Sequence, residues 1–558
     1  MRNSMKKLIS FALLAATALS TAACKGGGNS EEGTLYVYSF TSGFGDEWLT
    51  SLIADYEAKK KAEGVDIKVK PTANAADVHG SDMGNRDEVI YFLEQQNYYE
   101  LVAGNYIADL SDVLTAPNPY DEGGKTLESK MFADQKAYLG RDVNGKTAYY
   151  AYPHYFTSFG IIYDVEVFDA KGYYLVEGYE EYDAATQLDY MFVGNTTGST
   201  KTAGPDGQAG TSDDGLPTTY EEFFLLCDYI NKKNDNPLIW SGQHRNSYLT
   251  HFINALATDY EGYEQMRLNF TFNGTATNLG KAENGQFVKD AQPTAITGAK
   301  GYEVARQAGK YYAMDFYNTL YNKSYIKDQK STLYSSTFSH NDAQEAFLKN
   351  PESNNKNAML LDGSWWEMEA TTWFDQMSLI NDAYSKSNKK YGWMPLPKQS
   401  PEKVGEKSAM YDIMYPLCMM KNGLDPNSWE YKYAVDFIQF ANSDEQLAKF
   451  TQITGCTKAL NYSLSPDQYN ALTPYAKSFY DAYKASDIVF PYAQNDIFAN
   501  NQKTFQEIDG TGTGSPLYKS NAYNIDKCFV KTVEDGESVD NYFNGMYTYF
   551  QGLGDIWK

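Results

Sequence analysis

Trp365 and Trp366 stand directly behind an apolar run that ends in Asp362-Gly363. Trp240 lies in PLIWSGQHRNSY, where an apolar run breaks into a polar loop carrying Gln243, His244 and Arg245. Tyr155 follows Pro153-His154, Phe44 and Asp46 sit in the loop behind the first apolar run, and Glu94 lies just past EVIYFL. Aromatic rings offer a negative face to slightly positive C–H groups. Carboxylates, amides and guanidinium groups give hydroxyls fixed donors and acceptors. Rings beside planar polar groups at loop ends are the chemistry of capturing a polyhydroxylated ligand. Trp365 is the foremost platform. Trp366 is turned about 100° away on a helix, so the two rings do not serve one ligand face. Each ring has an ordinary alternative as packed core. Asp46 has one as a helix cap, and Glu94 as a solvated first-turn glutamate. The 48 tyrosines outnumber the 29 phenylalanines, which favours wet aromatic surfaces.

A second constellation is AGPDGQAGTSDDG, residues 203–215. Closely spaced carboxylates among turn-permitting glycines suit a calcium ion. Asp206, Asp213 and Asp214 are the candidate ligands for a structural calcium, and no other cofactor is expected. The loop resembles the aspartate-glycine calcium loops of thrombospondin-type repeats and lacks the EF-hand glutamate. The competing reading is a flexible acidic insertion.

Other signals carry less. Gly140–Thr147 fits the phosphate-loop expression, but that loop needs a strand before it and a helix after. Here Asn144-Gly145 is a hairpin turn signal and Thr147–Tyr150 continues as a strand. No G-x-S-x-G or H-E-x-x-H occurs, and the five histidines form no metal-ligand pair at helical spacing. A secreted glycoside hydrolase remains an alternative, since it needs two carboxylates across a cleft. Glu367 and Glu369, two apart on a predicted helix, face different ways. A surface glycan-adhesion lipoprotein is the other alternative. We expect a binding protein and no enzyme.

These side chains must be positioned by a larger frame. Leu35–Phe40 reads as a strand and Asp46–Ala62 as a helix whose apolar face is Trp48, Leu49, Leu52, Ile53 and Tyr56. Val65–Val69 reads as a second strand, which makes a βαβ unit and implies a parallel sheet. Glu88–Phe92 is a further strand feeding a helix through Leu101–Ala103. Ala358–Leu361 is a late strand, followed by a helix from Ser364 past Trp373. A long amphipathic helix spans Trp429–Phe440. Stretches near 193–217 and 273–300 are rich in Gly, Thr, Asn and Asp and read as insertions.

The N-terminus addresses the compartment. Arg2, Lys6 and Lys7 precede the apolar run Leu8–Ala23, the layout of a secretory signal. It ends at Ala22-Ala23-Cys24, similar to a bacterial lipoprotein cleavage site, although Thr21 stands where leucine is usual. We expect residues 1–23 to be the signal, Cys24 to be lipidated, and residues 24–33 to be a flexible tether. The 558-residue chain exceeds the single-core limit of about 250–300 residues, so two lobes or more are expected. A net charge of −24 argues against nucleic acid. Cys227, Cys418, Cys456 and Cys528 form no close pairs and read as buried thiols.

The order of these segments resembles the extracellular solute-binding proteins of carbohydrate ABC importers, the maltose-binding-protein-like group. The resemblance is carried by YVYSFTSGFGDEW, EVIYFLE with LVAGNYIADLSD, NGKTAYYAYPHYFTSFGIIYDVEVFDAKG, DAQEAFLKN with NAMLLDGSWW, and YKYAVDFIQFANSDEQLAKFTQITGCTKAL. It implies an α/β fold of two lobes, the type II periplasmic-binding-protein-like architecture, with a hinge and loop insertions. It implies a first lobe at 34–152 with a return segment near 345–400. The second lobe is expected at 153–344 with 401–558. Trp365 matches the family's G-x-W position, where the indole stacks on sugar. The implied partners are an oligosaccharide and membrane permease subunits, with a monomer touching the membrane only through its lipid.

Overall fold

The computed structural model describes residues 33–41, 43–76, 78–94, 98–195, 198–322, 330–491 and 536–557, with Ile497 and Thr532 singly. The expected signal, Cys24 and Cys528 lie outside the described residues.

Two sheets organise the chain. The first runs in the order 68–74, 34–40, 90–93, 417–420, 152–153. Its first three strands are parallel, and the strand Leu417–Met420 enters antiparallel to Ile90–Leu93. The opening strand Thr34–Phe40 is buried along most of its length, as befits a strand covered on both faces. The helix Glu47–Ala62 buries all five residues of its expected apolar face and packs beside the helices Trp429–Ala441 and Asp444–Thr454.

The second sheet runs in the order 391–394, 159–164, 357–363, 236–239. Asn357–Gly363 lies antiparallel to Phe159–Asp164 and parallel to Asn236–Ile239. The outer edge of Tyr391–Met394 is closed by Ser478, whose Oγ accepts from Trp393 N at 2.8 Å and donates to Trp393 O at 3.3 Å. A serine there removes a pairing edge that would invite another strand.

Several expectations are corrected. The segment 345–400 does not return to the first lobe: its strands belong to the second sheet. The returning strand is Leu417–Met420, four residues whose apolar character alone does not say which sheet they complete. The second strand is Lys68–Asn74, shifted along from Val65–Val69 because Lys60 O takes Val65 N into the helix end. The helix behind Gly363 is two short ones, Trp366–Glu369 and Thr371–Ile380. Gly140–Val143 and Lys146–Tyr149 pair as the expected hairpin.

Three segments connect the lobes, near 154–158, 412–416 and 455–459. They bond to one another: His154 N to Pro416 O (3.0 Å), Ile413 N to Thr157 O (3.0 Å), and Phe156 N to Thr457 O (2.9 Å). Both insertions are packed. In the first, Phe192 stacks on Tyr229 at 4.2 Å. In the second, the hairpin of Gly280–Glu283 with Gln286–Lys289 is held by Asn544 of the helix Val539–Gly552, through both the N–H and C=O of Ala282. No helix among the described residues is long and apolar enough to cross a membrane.

Candidate ligand cleft

Four of the expected residues come together where the lobes meet. Gly43 and Phe44 leave the C-terminal end of the opening strand, Glu94 leaves Ile90–Leu93, and Trp365 leaves Asn357–Gly363. Open α/β sheets place ligands at the carboxyl ends of their strands, so both lobes aim these groups into one gap. Tyr155 comes from the first connecting segment. Its ring lies 4.4 Å from Phe44 and stacks on Phe450 at 6.1 Å, and its hydroxyl donates to Glu94.

Trp365 is gripped from both lobes. A Cβ placed on Gly43 would stand 2.3 Å from its Cδ1, and one on Gly363 would stand 2.3 Å from its Cη2. The indole is only 7% exposed, so a ligand reaches it when the lobes part. Gly43 is thus a position where closure requires glycine. Gly43→Ala should penalise the closed arrangement by about 1–3 kcal/mol, the usual cost of overpacking. Small-angle scattering should show a larger radius of gyration for this variant, and ligand affinity should fall about tenfold or more. An unchanged radius would contradict the grip.

The other candidates fall elsewhere. Trp366 has no exposed surface and packs among Phe347, Phe374, Tyr391 and Tyr475, so it is core and not a platform. Trp240 is fully buried as well, against Tyr334 of its own lobe, and the expectation of a ligand-facing ring is corrected. Arg245 turns back to donate to Gly242 O at 3.1 Å. Asp46 is exposed, and its side chain makes no bond to the helix it precedes.

Beneath Trp365 lies a group that residue spacing did not disclose. Gln344 Nε2 bridges Asp362 (3.1 Å) and Glu369 (2.7 Å), and His340 Nε2 stands 3.6 Å from Glu369. Burial, then the Glu369 charge, pushes Asp362 up to about 8. Burial also raises Glu369. Burial thus favours the protonated, donating form of Asp362 at neutral pH. Glu367 turns away to accept from Thr473 at 2.8 Å, so Glu367 and Glu369 face different ways, as their spacing predicts. At the hinge, Lys458 Nζ lies 2.6 Å from His154 Nδ1, and burial lowers its pKa to about 7. Cys418 and Cys456 are buried free thiols; burial raises both.

The acidic loop is self-capped. Asp213 accepts from Asp206 N (3.0 Å) and Thr211 Oγ1 (2.6 Å), Asp214 from Gly210 N (2.8 Å), and Asp206 from Gln208 N (2.7 Å). Among the described residues no group of three or more His, Cys, Asp or Glu is arranged to hold a metal. The loop forms part of the wall of a cavity of about 700 Å³ that Tyr163 and Trp393 of the second sheet also line. Since loop N–H groups already satisfy these carboxylates, a chelator should shift the melting temperature by less than about 1 °C. A drop of several degrees, reversed by added calcium, would restore the metal reading.

No protein-family model matches the chain and no curated protein matches it. Solved structures do. A chitin oligosaccharide binding protein superimposes over 94% of this chain and 100% of its own, with a TM-score of 0.54 and 14% identity. The GacH receptor of Streptomyces glaucescens GLA.O, solved unliganded and in complex with acarbose and an acarbose homolog, covers 95% and 100%, with a TM-score of 0.53 and 14% identity. At such identity the likeness is one of fold, and the chain has the two-lobe α/β fold of maltose-binding-protein-like solute-binding proteins.

Proposed function

We propose that this chain is an extracytoplasmic solute-binding protein that captures an oligosaccharide between its lobes and presents it to the membrane permease of an ABC importer. It acts without catalysing a reaction, as a monomer. One observation carries the reading: Trp365 of the second lobe meets Gly43 of the first across a hinge of three connecting segments. A sugar stacked on that indole touches both lobes only when they are closed, and this differential contact is what drives closure. The ligands of the two structural neighbours, chitin oligosaccharide and acarbose, belong to the same chemical class.

The test is a thermal-shift screen of residues 34–558 against oligosaccharides. A ligand at 100 times its dissociation constant adds about 2.7 kcal/mol of stability. A clear shift with the sugar recovered intact supports capture. Recovery of cleaved sugar supports the hydrolase and sinks the proposal, and no shift with any sugar redirects the cleft to another solute.

The anchor is proposed on sequence grounds. Mass spectrometry of the N-terminal peptide should find a lipid on Cys24, and Cys24→Ser should abolish fatty-acid incorporation into the chain. An unmodified Cys24 in the membrane-bound parent would refute the anchor.

A further inference from the structure

The inserted hairpin at 280–289 does more than cover the second lobe: it closes one side of a cavity of about 400 Å³. Tyr220 and Phe224 enter it from the helix Tyr220–Lys232. Phe287 enters from the hairpin, and Tyr311, Tyr312 and Asp315 from the helix Ala308–Asn322. All of these belong to the second lobe, and none takes part in the cleft contacts.

The rings are set across one another. Tyr311 and Tyr312 meet at 74° with centroids 5.6 Å apart, Phe287 and Tyr312 at 52° and 5.8 Å, and Tyr220 and Phe316 at 63° and 4.6 Å. A sugar face needs one open ring plane. Rings inclined to one another, here by 33° (Phe224 and Phe316) to 74°, instead enclose a compact group. The charge is one-sided as well. Asp315 is exposed at the rim, and no hydrogen bond or ion pair engages it among the described residues. Asp540 stands behind the cavity, accepting from Gly285 N at 2.7 Å and from Tyr311 Oη at 3.1 Å. No Lys or Arg lines the cavity. The negative charge of Asp540 opposes the Asp315 carboxylate, so a cation arriving there relieves an unfavourable charge.

We propose that this cavity binds an organic ammonium group, held against the faces of Tyr220, Phe287 and Tyr312 and neutralised by Asp315. Cations within about 6 Å of a ring centroid are attracted to its face, and cages of such rings suit alkylated ammonium groups. The site is separate from the cleft and does not depend on what the cleft binds.

The experiment is calorimetric titration of residues 34–558 with choline chloride at low ionic strength, beside 3,3-dimethylbutanol, its neutral carbon isostere. Choline should bind saturably, and the isostere should bind at least about tenfold more weakly. Asp315→Asn and Tyr312→Leu should each weaken choline about tenfold or more. Trp365→Ala should leave choline affinity unchanged. Equal binding of the isostere would make the cavity merely apolar and overturn the proposal. So would an unaltered Asp315→Asn affinity, or no saturation by choline up to about 10 mM. Loss of choline binding in Trp365→Ala would place the cation in the cleft. Loss of an oligosaccharide signal in Tyr312→Leu would make the cavity a saccharide site. Either result also overturns it. Matched melting temperatures show that the variants are folded.

Discussion

Trp365→Ala should lower oligosaccharide affinity by roughly thirtyfold or more, since a central aromatic anchor is worth about 2 kcal/mol or above. The adjacent Trp366→Ala should leave affinity within a fewfold and instead cost about 3–5 kcal/mol of stability, the range for a buried tryptophan. The two residues differ by one position, and the tertiary structure gives them different surroundings. Trp365 is covered by the Gly43 loop of the other lobe, contact that exists only in the closed arrangement. Trp366 is covered by rings of its own lobe, contact that persists whatever the hinge does. Urea midpoints and calorimetric titration on both variants separate the effects. Equal affinity losses would show that the platform is not Trp365. A Trp365→Ala variant with normal affinity and reduced stability would make it ordinary core.

The second large effect is at the hinge. Asp412 accepts from Thr157 N (3.2 Å), Thr157 Oγ1 (3.3 Å) and Tyr415 N (3.4 Å), all through Oδ1. Its Oδ2 is buried with no hydrogen-bond partner among the described residues. Burial pushes the carboxyl up to about 7, with those donors opposing. The unfolded value is about 3.9, so the folded state holds a proton that the unfolded state has lost. The stabilisation is full below about pH 4 and is lost as pH rises through about 7. Asp412→Asn keeps an acceptor for the Thr157 and Tyr415 donors and removes the titration. It should match the parent near pH 4. It should then gain on the parent by about 1 kcal/mol per pH unit up to about pH 7, and level off above. Burial also raises Asp362 to about 8 and Glu367 to about 7, which acts in the same direction. His251, lowered to about 4 by burial, acts in the opposite direction below about pH 6.5. Comparing variant with parent cancels these. A difference in urea-derived stability that stays constant from pH 5 to pH 8 would falsify the buried-acid account.

Much of the site was legible from residue order because local rules fixed it. The opening strand and helix follow from alternation and a five-residue apolar stripe, and Phe44 and Trp365 follow from their places just behind strand ends. Trp240 misled because it stands behind a strand end too, and only packing shows that its ring turns inward against Tyr334. The Asp362–Gln344–Glu369 bridge was illegible. Gln344 lies on the helix His340–Leu348, and its reach depends on how that helix packs on a strand 13 residues later in the chain.

The sequence by itself determined the signal-like N-terminus, the α/β alternation, the order of segments and the divergence of the Trp365 and Trp366 rings. Each of these is a property of neighbours along the chain: charge before an apolar run, period, and rotation per residue. Tertiary structure alone decided that Leu417–Met420 rather than 345–400 returns to the first sheet. It also decided that the acidic loop caps itself and that the 280–289 hairpin completes a ring-lined cavity. Those outcomes depend on which distant surfaces bury each other, and four apolar residues or three carboxylates are compatible with several answers until the partner surface is in place.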